Sequence, residues 1–211
     1  MIFEAIAWTI ANWGAFTKAL WVHLLLSGAA LGLAIALAVP TGVGLARYPR
    51  AASVAINSAG TLRTVPSLAI LAIMLPLVGT GFAPSLIALI VLALPPILIN
   101  TYVGIRQVDP DVIDSATGMG MTRWQIVARI ETPLAAPFIF AGIRTSAVQV
   151  IAGATLASFI GGGGLGDFIT TGVAIMSPSR MLVGAVPVAL LAIATEIIFG
   201  AFERRLSHRA T

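Results

Sequence analysis

The chain has 211 residues, of which 58% are hydrophobic and only 9% charged. A soluble domain carries roughly a quarter charged residues and needs a mostly polar shell at this size, and a disordered chain is poor in apolar residues, so the composition fits a bilayer and an integral membrane protein. The net charge of +4 comes from thinly scattered bases rather than a basic face, which excludes a nucleic-acid reading, and the absence of cysteine excludes a disulfide framework, a thiolate nucleophile and a Cys-based metal site.

The N-terminus does not read as a cleavable signal, because Glu4 stands where a basic residue belongs. Trp8, Trp13 and Trp21, with Phe3 and Phe16, are rings of the kind that settle at headgroup level. Residues 1–18 are therefore expected to form an interfacial segment on one membrane face.

Five apolar stretches follow, each long enough for a span of about 20 residues. The first runs from Ala19 to Ala46 and the second from Val54 to Val78, interrupted by Arg63 and Pro66. The third, Ala83 to Ile105, holds Pro95-Pro96 and is expected to bend or break there. The fourth runs from Pro133 to Ile160 and the fifth from Met181 to Phe202. These runs are too long for barrel strands and lack strict alternation, so helix is the expected form. Residues 19–205 thus form the membrane domain and residues 206–211 a tail.

Orientation follows from the bases in short loops. With five spans and an external N-terminus, Arg47, Arg50, Arg106, Arg123, Arg129, Arg204, Arg205 and Arg209 all fall on the cytoplasmic side, leaving Lys18 and Arg180 outside. The two histidines, His23 and His208, read as an interfacial and a tail residue, and no metal ligand set is expected. Of the ionisable groups inside spans, Arg144 and Glu196 are expected to pair. They lie eleven residues beyond Pro133 and eight before Arg204, depths of roughly 16 and 12 Å at the helical rise.

The segment 106–131 gathers seven of the twenty charged residues into one cytoplasmic loop. Asp109-Pro110-Asp111 reads as an N-cap, a first-turn proline and an acidic first turn. Ile113, Ala116, Gly120, Trp124, Val127 and Ile130 recur at three- and four-residue spacing as one stripe of an amphipathic helix. Gly118 and Gly120 are expected to divide it into two short helices, and a bent amphipathic element of this kind offers a docking surface.

This loop resembles the EAA loop of permease subunits of bacterial ATP-binding-cassette (ABC) importers. Asp114, Ser115 and Ala116 occupy the Glu-Ala-Ala places, and Gly120, Ile130 and Pro133 follow at the motif's spacing. The departures are Asp114 for Glu, Ser115 for Ala and Thr132 for Leu. The runs Thr64–Ala69, Asn100–Arg106, Asp109–Thr122 and Ala157–Asp167 are similar to the osmoprotectant branch, which imports glycine betaine, carnitine and choline. D-methionine or other amino-acid ABC importer permeases form the nearest alternative. A membrane scaffold that merely docks a cytoplasmic partner is the reading of different class.

The resemblance implies an all-α fold of five transmembrane helices, of the type I importer (methionine-importer-like) kind, in the bacterial inner membrane. It implies a transporter subunit rather than an enzyme, paired with a second permease copy or a homologous permease. Separate ATPase subunits would hold ATP and Mg, with no cofactor on this chain, and an extracytoplasmic substrate-binding protein would deliver the solute. Coupling to the ATPase would fall to Asp114, Ser115, Ala116, Met119, Gly120, Met121, Thr122 and Trp124. Met119, Met121 and Trp124 are expected to fill the ATPase groove, and Gly120 to sit where little room exists for a side chain. Gly161 to Gly164 is not a phosphate loop, since no Lys-Ser/Thr follows, and reads as a turn or re-entrant segment. No residue is singled out as binding solute.

Overall fold

The computed structural model describes residues 1–210, with side chains described through residue 205. The 206–211 tail and its His208 therefore lie outside the residues with described side chains. Its helices are α1 (Ile2–Ala11), α2 (Trp13–Leu45), α3 (Pro49–Leu62), α4 (Ser67–Val78) and α5 (Phe82–Arg106). There follow α6 (Pro110–Gly118), α7 (Arg123–Ile126), a π-helical turn (Val127–Glu131), α8 (Thr132–Gly153), a 3-10 turn (Leu156–Ile160), α9 (Gly166–Ala174) and α10 (Pro178–Ala210).

Among the described residues four helices are long and apolar enough to cross a membrane: α2, α5, the continuous Arg123–Gly153 run and α10. A fifth crossing arises if α3 and α4 count as one broken span. The expected single span from Val54 to Val78 is thus two helices meeting at 99°. At 1.5 Å per residue they are only about 21 and 18 Å long, short of a hydrocarbon core of roughly 30 Å. The break follows from Pro66, which lacks an N–H and pushes Val65 out of the helical region.

Three further expectations change. The N-terminal helix stops at Ala11, and the long α2 begins at Trp13, inside the segment assigned to residues 1–18. Pro95 and Pro96 do not break α5, which is continuous from Phe82 to Arg106. Both prolines are buried against neighbouring helices, and packed neighbours let a membrane helix carry proline without fracture. The fourth helix ends at Gly153 instead of Ile160, and the chain then tightens into the 3-10 turn.

The core lies where α2, α5 and α8 meet. Leu26, Ala30, Ala34 and Ala38 recur every four residues along α2 and are all essentially buried. They face Leu89, Ala93 and Ile97 of α5 and Ala135, Ile139 and Ile143 of α8. Small residues let the backbones approach, which is how helices associate in lipid. At Gly142 of α8 a Cβ would lie 2.8 Å from the Pro96 carbonyl oxygen, so α5 and α8 touch backbone to backbone. The Ser146 hydroxyl donates to the Ala93 carbonyl at 2.8 Å across the same seam.

After the 3-10 turn, Gly161, Gly163 and Gly164 all take positive φ. The Gly81 amide donates to the Ile160 carbonyl at 2.7 Å, fastening this turn to the α4–α5 connection. It is a tucked-in glycine turn, and α9 then leads to α10.

Candidate functional site

The loop between α5 and α8 is built from both ends toward a bend. Asp109 caps α6, its carboxylate accepting from the Asp111 amide at 2.9 Å, with Pro110 in the first turn. At the other end of α6, Gly120 has φ +79°. The Met121 amide reaches back to the Ala116 carbonyl at 3.1 Å and the Gly120 amide to Thr117 at 3.0 Å, a glycine-terminated helix end of the Schellman type. Thr122 then caps α7 reciprocally. Its amide donates to the Gln125 side chain at 2.7 Å, and its hydroxyl accepts from the Gln125 amide at 3.4 Å.

The bend therefore has a hydrogen bond on each side, and few freedoms remain. Ala116 is fully buried beneath it, and Ile126 and Val127 anchor α7 and the π turn. Asp114, Ser115, Thr122, Met119 and Trp124 are exposed, Met119 at 75% and Trp124 at 77%. Met121 is only half-buried. Asp114 makes no ion pair among the described residues. The structure thus presents a rigid short helix and bend, with Met119 and Trp124 as apolar projections and Asp114 as a free charge.

A Cβ at Gly120 would meet nothing within 4 Å among the described residues, so any lack of room there belongs to the docked loop and not to this chain alone. Backbone conformation makes glycine the fitting residue, because positive φ strains an L side chain.

Beneath the loop, Arg47 from the end of α2 donates to the Glu131 carboxylate, which is 5% exposed. Sequence reading missed this pair. The only signal was an acidic residue at the start of one apolar run and an arginine at the end of another.

Arg144 of α8 binds Glu196 of α10 and also Glu203, the second at 2.8 Å. Glu196 and Glu203 are seven residues apart, two helical turns on one face of α10, so one guanidinium bridges both. The side chains are partly open, with Glu196 at 47%.

Other singled-out residues move. His23 is fully buried rather than interfacial, its Nε2 lying 3.1 Å from the Ile151 carbonyl oxygen. Arg63 is exposed at the α3–α4 bend. Arg180 stacks over Trp8 at 3.5 Å from the ring centre, close to Phe168, a contact the sequence did not suggest. Among the described residues no group of three or more His, Asp or Glu is arranged to hold a metal.

Comparison with known proteins adds matches of three kinds. Residues 30–208 match the family described as binding-protein-dependent transport system inner membrane component. The chain is 51% identical to the carnitine transport permease protein OpuCB of Listeria monocytogenes, over 90% of this chain and 87% of that one. It is 46% identical to the glycine betaine/carnitine/choline transport system permease protein OpuCB of Bacillus subtilis, covering 88% and 85% of the two chains. Among solved structures, a chain of the inward-facing MetNI methionine ABC transporter superposes with a TM-score of 0.80 at 19% identity, covering 91% of this chain and 96% of that one. An amino acid ABC transporter crystallised with histidines gives 0.74 at 19% identity, over 97% and 98% of the two chains.

Proposed function

We propose that this chain, which belongs to the family of binding-protein-dependent transport system inner membrane components, carries a compatible solute such as glycine betaine, carnitine or choline. As a family member it is a permease subunit of an ABC importer in the inner membrane, not an enzyme, and works with ATPase, substrate-binding and permease partners. The observation that carries the solute class is identity of 45–51% over most of the chain with carnitine, betaine and choline permeases. The methionine transporter structures, at 19–20% identity, share the fold alone.

In this reading the 106–131 loop is the coupling element, with the C-terminus on its side of the membrane and the N-terminus opposite. Asp114, Ser115, Met119, Gly120, Thr122 and Trp124 form the surface offered to the ATPase, while Ala116 and Met121 support it from beneath. ATP and Mg sit on that partner, and its closure pushes on the capped bend. Arg47–Glu131 passes the displacement to α2 and α8, and the second permease is a copy or a homologue. The half-exposed Arg144–Glu196 pair supports the placing of the α8–α10 face, because charges at that depth turn away from lipid tails toward protein or water. That face is accordingly assigned to the second permease or the aqueous pathway.

The test is hydrolysis by the assembled complex. ATPase activity is expected to rise severalfold when the binding protein is loaded with a quaternary ammonium solute, and to stay basal with D-methionine. Stimulation by D-methionine alone would assign the chain to the other branch. Absence of any co-purifying ATPase would favour a scaffold.

A further inference from the structure

A cleft of about 740 Å³ opens between the last turns of α2 and the α7–π segment. Its apolar lining includes Val39, Val43, Val127 and Ala128, and Arg47, Tyr48, Arg123 and Trp124 line it as well. Among the described residues no acidic residue lines it. Arg47 is engaged by Glu131, but Arg123 is exposed and makes no ion pair among the described residues. Arg50, exposed in the next turn, is likewise without an ion pair there.

These features sit at one depth. The α2 helix has 33 residues, about 50 Å, and outruns a hydrocarbon core of roughly 30 Å, so its Arg-bearing end lies at headgroup level. Tyr48 is 68% exposed beside it, where amphipathic rings are at home. A water-soluble metabolite has no use for the apolar lining, and a neutral apolar helix has none for the arginines. Basic pockets between membrane helices on this side suit anionic lipid headgroups.

We propose that this cleft is a binding site for an anionic phospholipid, its headgroup on Arg123 and Tyr48 and its acyl chain along Val39 and Val43. Such a lipid touches α7 directly, one turn from the Gly120 bend, and braces the coupling element from the membrane side. The proposal is independent of which solute is carried.

The test uses the full permease chain purified without its partner subunits, with Trp124 as its one tryptophan after Trp8→Phe, Trp13→Phe and Trp21→Phe. The chain is placed in phosphatidylcholine vesicles containing brominated phosphatidylglycerol or, at equal mole fraction, brominated phosphatidylcholine. Trp124 fluorescence is expected to be quenched preferentially by the anionic lipid. Arg123→Gln should lower that preference about fivefold, the weight of one basic side chain at an anionic surface, and Arg123→Lys should keep most of it. Equal quenching by the two lipids, or none by either, overturns the site. In parallel, native mass spectrometry of the complex with all tryptophans intact should find phosphatidylglycerol retained by the parent and lost from Arg123→Gln. Equal retention overturns the assignment of the headgroup to Arg123.

Discussion

Arg47, two residues beyond the end of α2, donates to the carboxylate of Glu131, 84 positions along the chain in the π-helical turn that precedes α8. This pair fixes the base of the bent loop to the membrane bundle. Glu131 has almost no contact with solvent, while the Arg47 side chain is 25% exposed.

Removing the acidic partner therefore strands a largely buried cation. Glu131→Gln is expected to destabilise the detergent-solubilised chain by about 2 kcal/mol, below the range for fully buried pairs because Arg47 reaches water. The double variant Arg47→Met/Glu131→Leu should lose less than the two single losses combined. Thermal unfolding of Arg47→Met, Glu131→Leu and the double variant measures this. Simple additivity would show that the pair contributes nothing as a pair.

The Arg144 cluster predicts an order rather than a single value. Glu196→Gln leaves Arg144 with Glu203, whereas Arg144→Ala removes the one guanidinium that both carboxylates share on α10. Arg144→Ala should lower the unfolding temperature clearly more than Glu196→Gln. The reverse order would contradict the bridging geometry.

The particular residues show what a sequence displays and what it hides. The cap at Asp109 and Pro110 and the bend at Gly120 are local, set by residues within a turn of one another, so their positions were readable. The apolar runs revealed the long helices for the same reason. Pro66 was visible as an interruption, but the 99° between α3 and α4 depends on what each helix packs against. Pro95 and Pro96 misled because burial against neighbouring helices outweighs the local breaking tendency. His23 misled similarly. Its burial depends on the end of α8, and its ring meets Ile151, 128 positions away. Glu203, Arg47 and Glu131 were legible only as charges, since a partner many residues distant leaves no local pattern.

At Gly120 the structure separates conformation from space. Gly120→Leu costs about 1 kcal/mol of local strain from its positive φ, with open room for the side chain, so the bundle should remain folded. The bend shifts, and ATPase retention on the purified complex should fall while Gly120→Asn, which tolerates this conformation, retains most of it. Parental retention by the leucine variant would remove this loop from the coupling role.

Topology is testable on a background free of cysteine. Met119→Cys in the coupling bend and Thr80→Cys in the α4–α5 turn, both exposed positions, should be labelled by a membrane-impermeant maleimide from opposite sides. Thr80→Cys should react in intact cells and Met119→Cys only in inverted vesicles. Labelling of both from one side would reverse the assigned orientation of at least one segment.

The central claim is import of a compatible solute through this chain. The direct measurement is uptake of radiolabelled carnitine, glycine betaine or choline by vesicles holding the permease, its ATPase and its binding protein. ATP-dependent accumulation of at least one of the three is expected, undiminished by excess unlabelled D-methionine and abolished when the ATPase is omitted. Accumulation of D-methionine with none of the three solutes, or uptake of solute without the ATPase, would contradict the account.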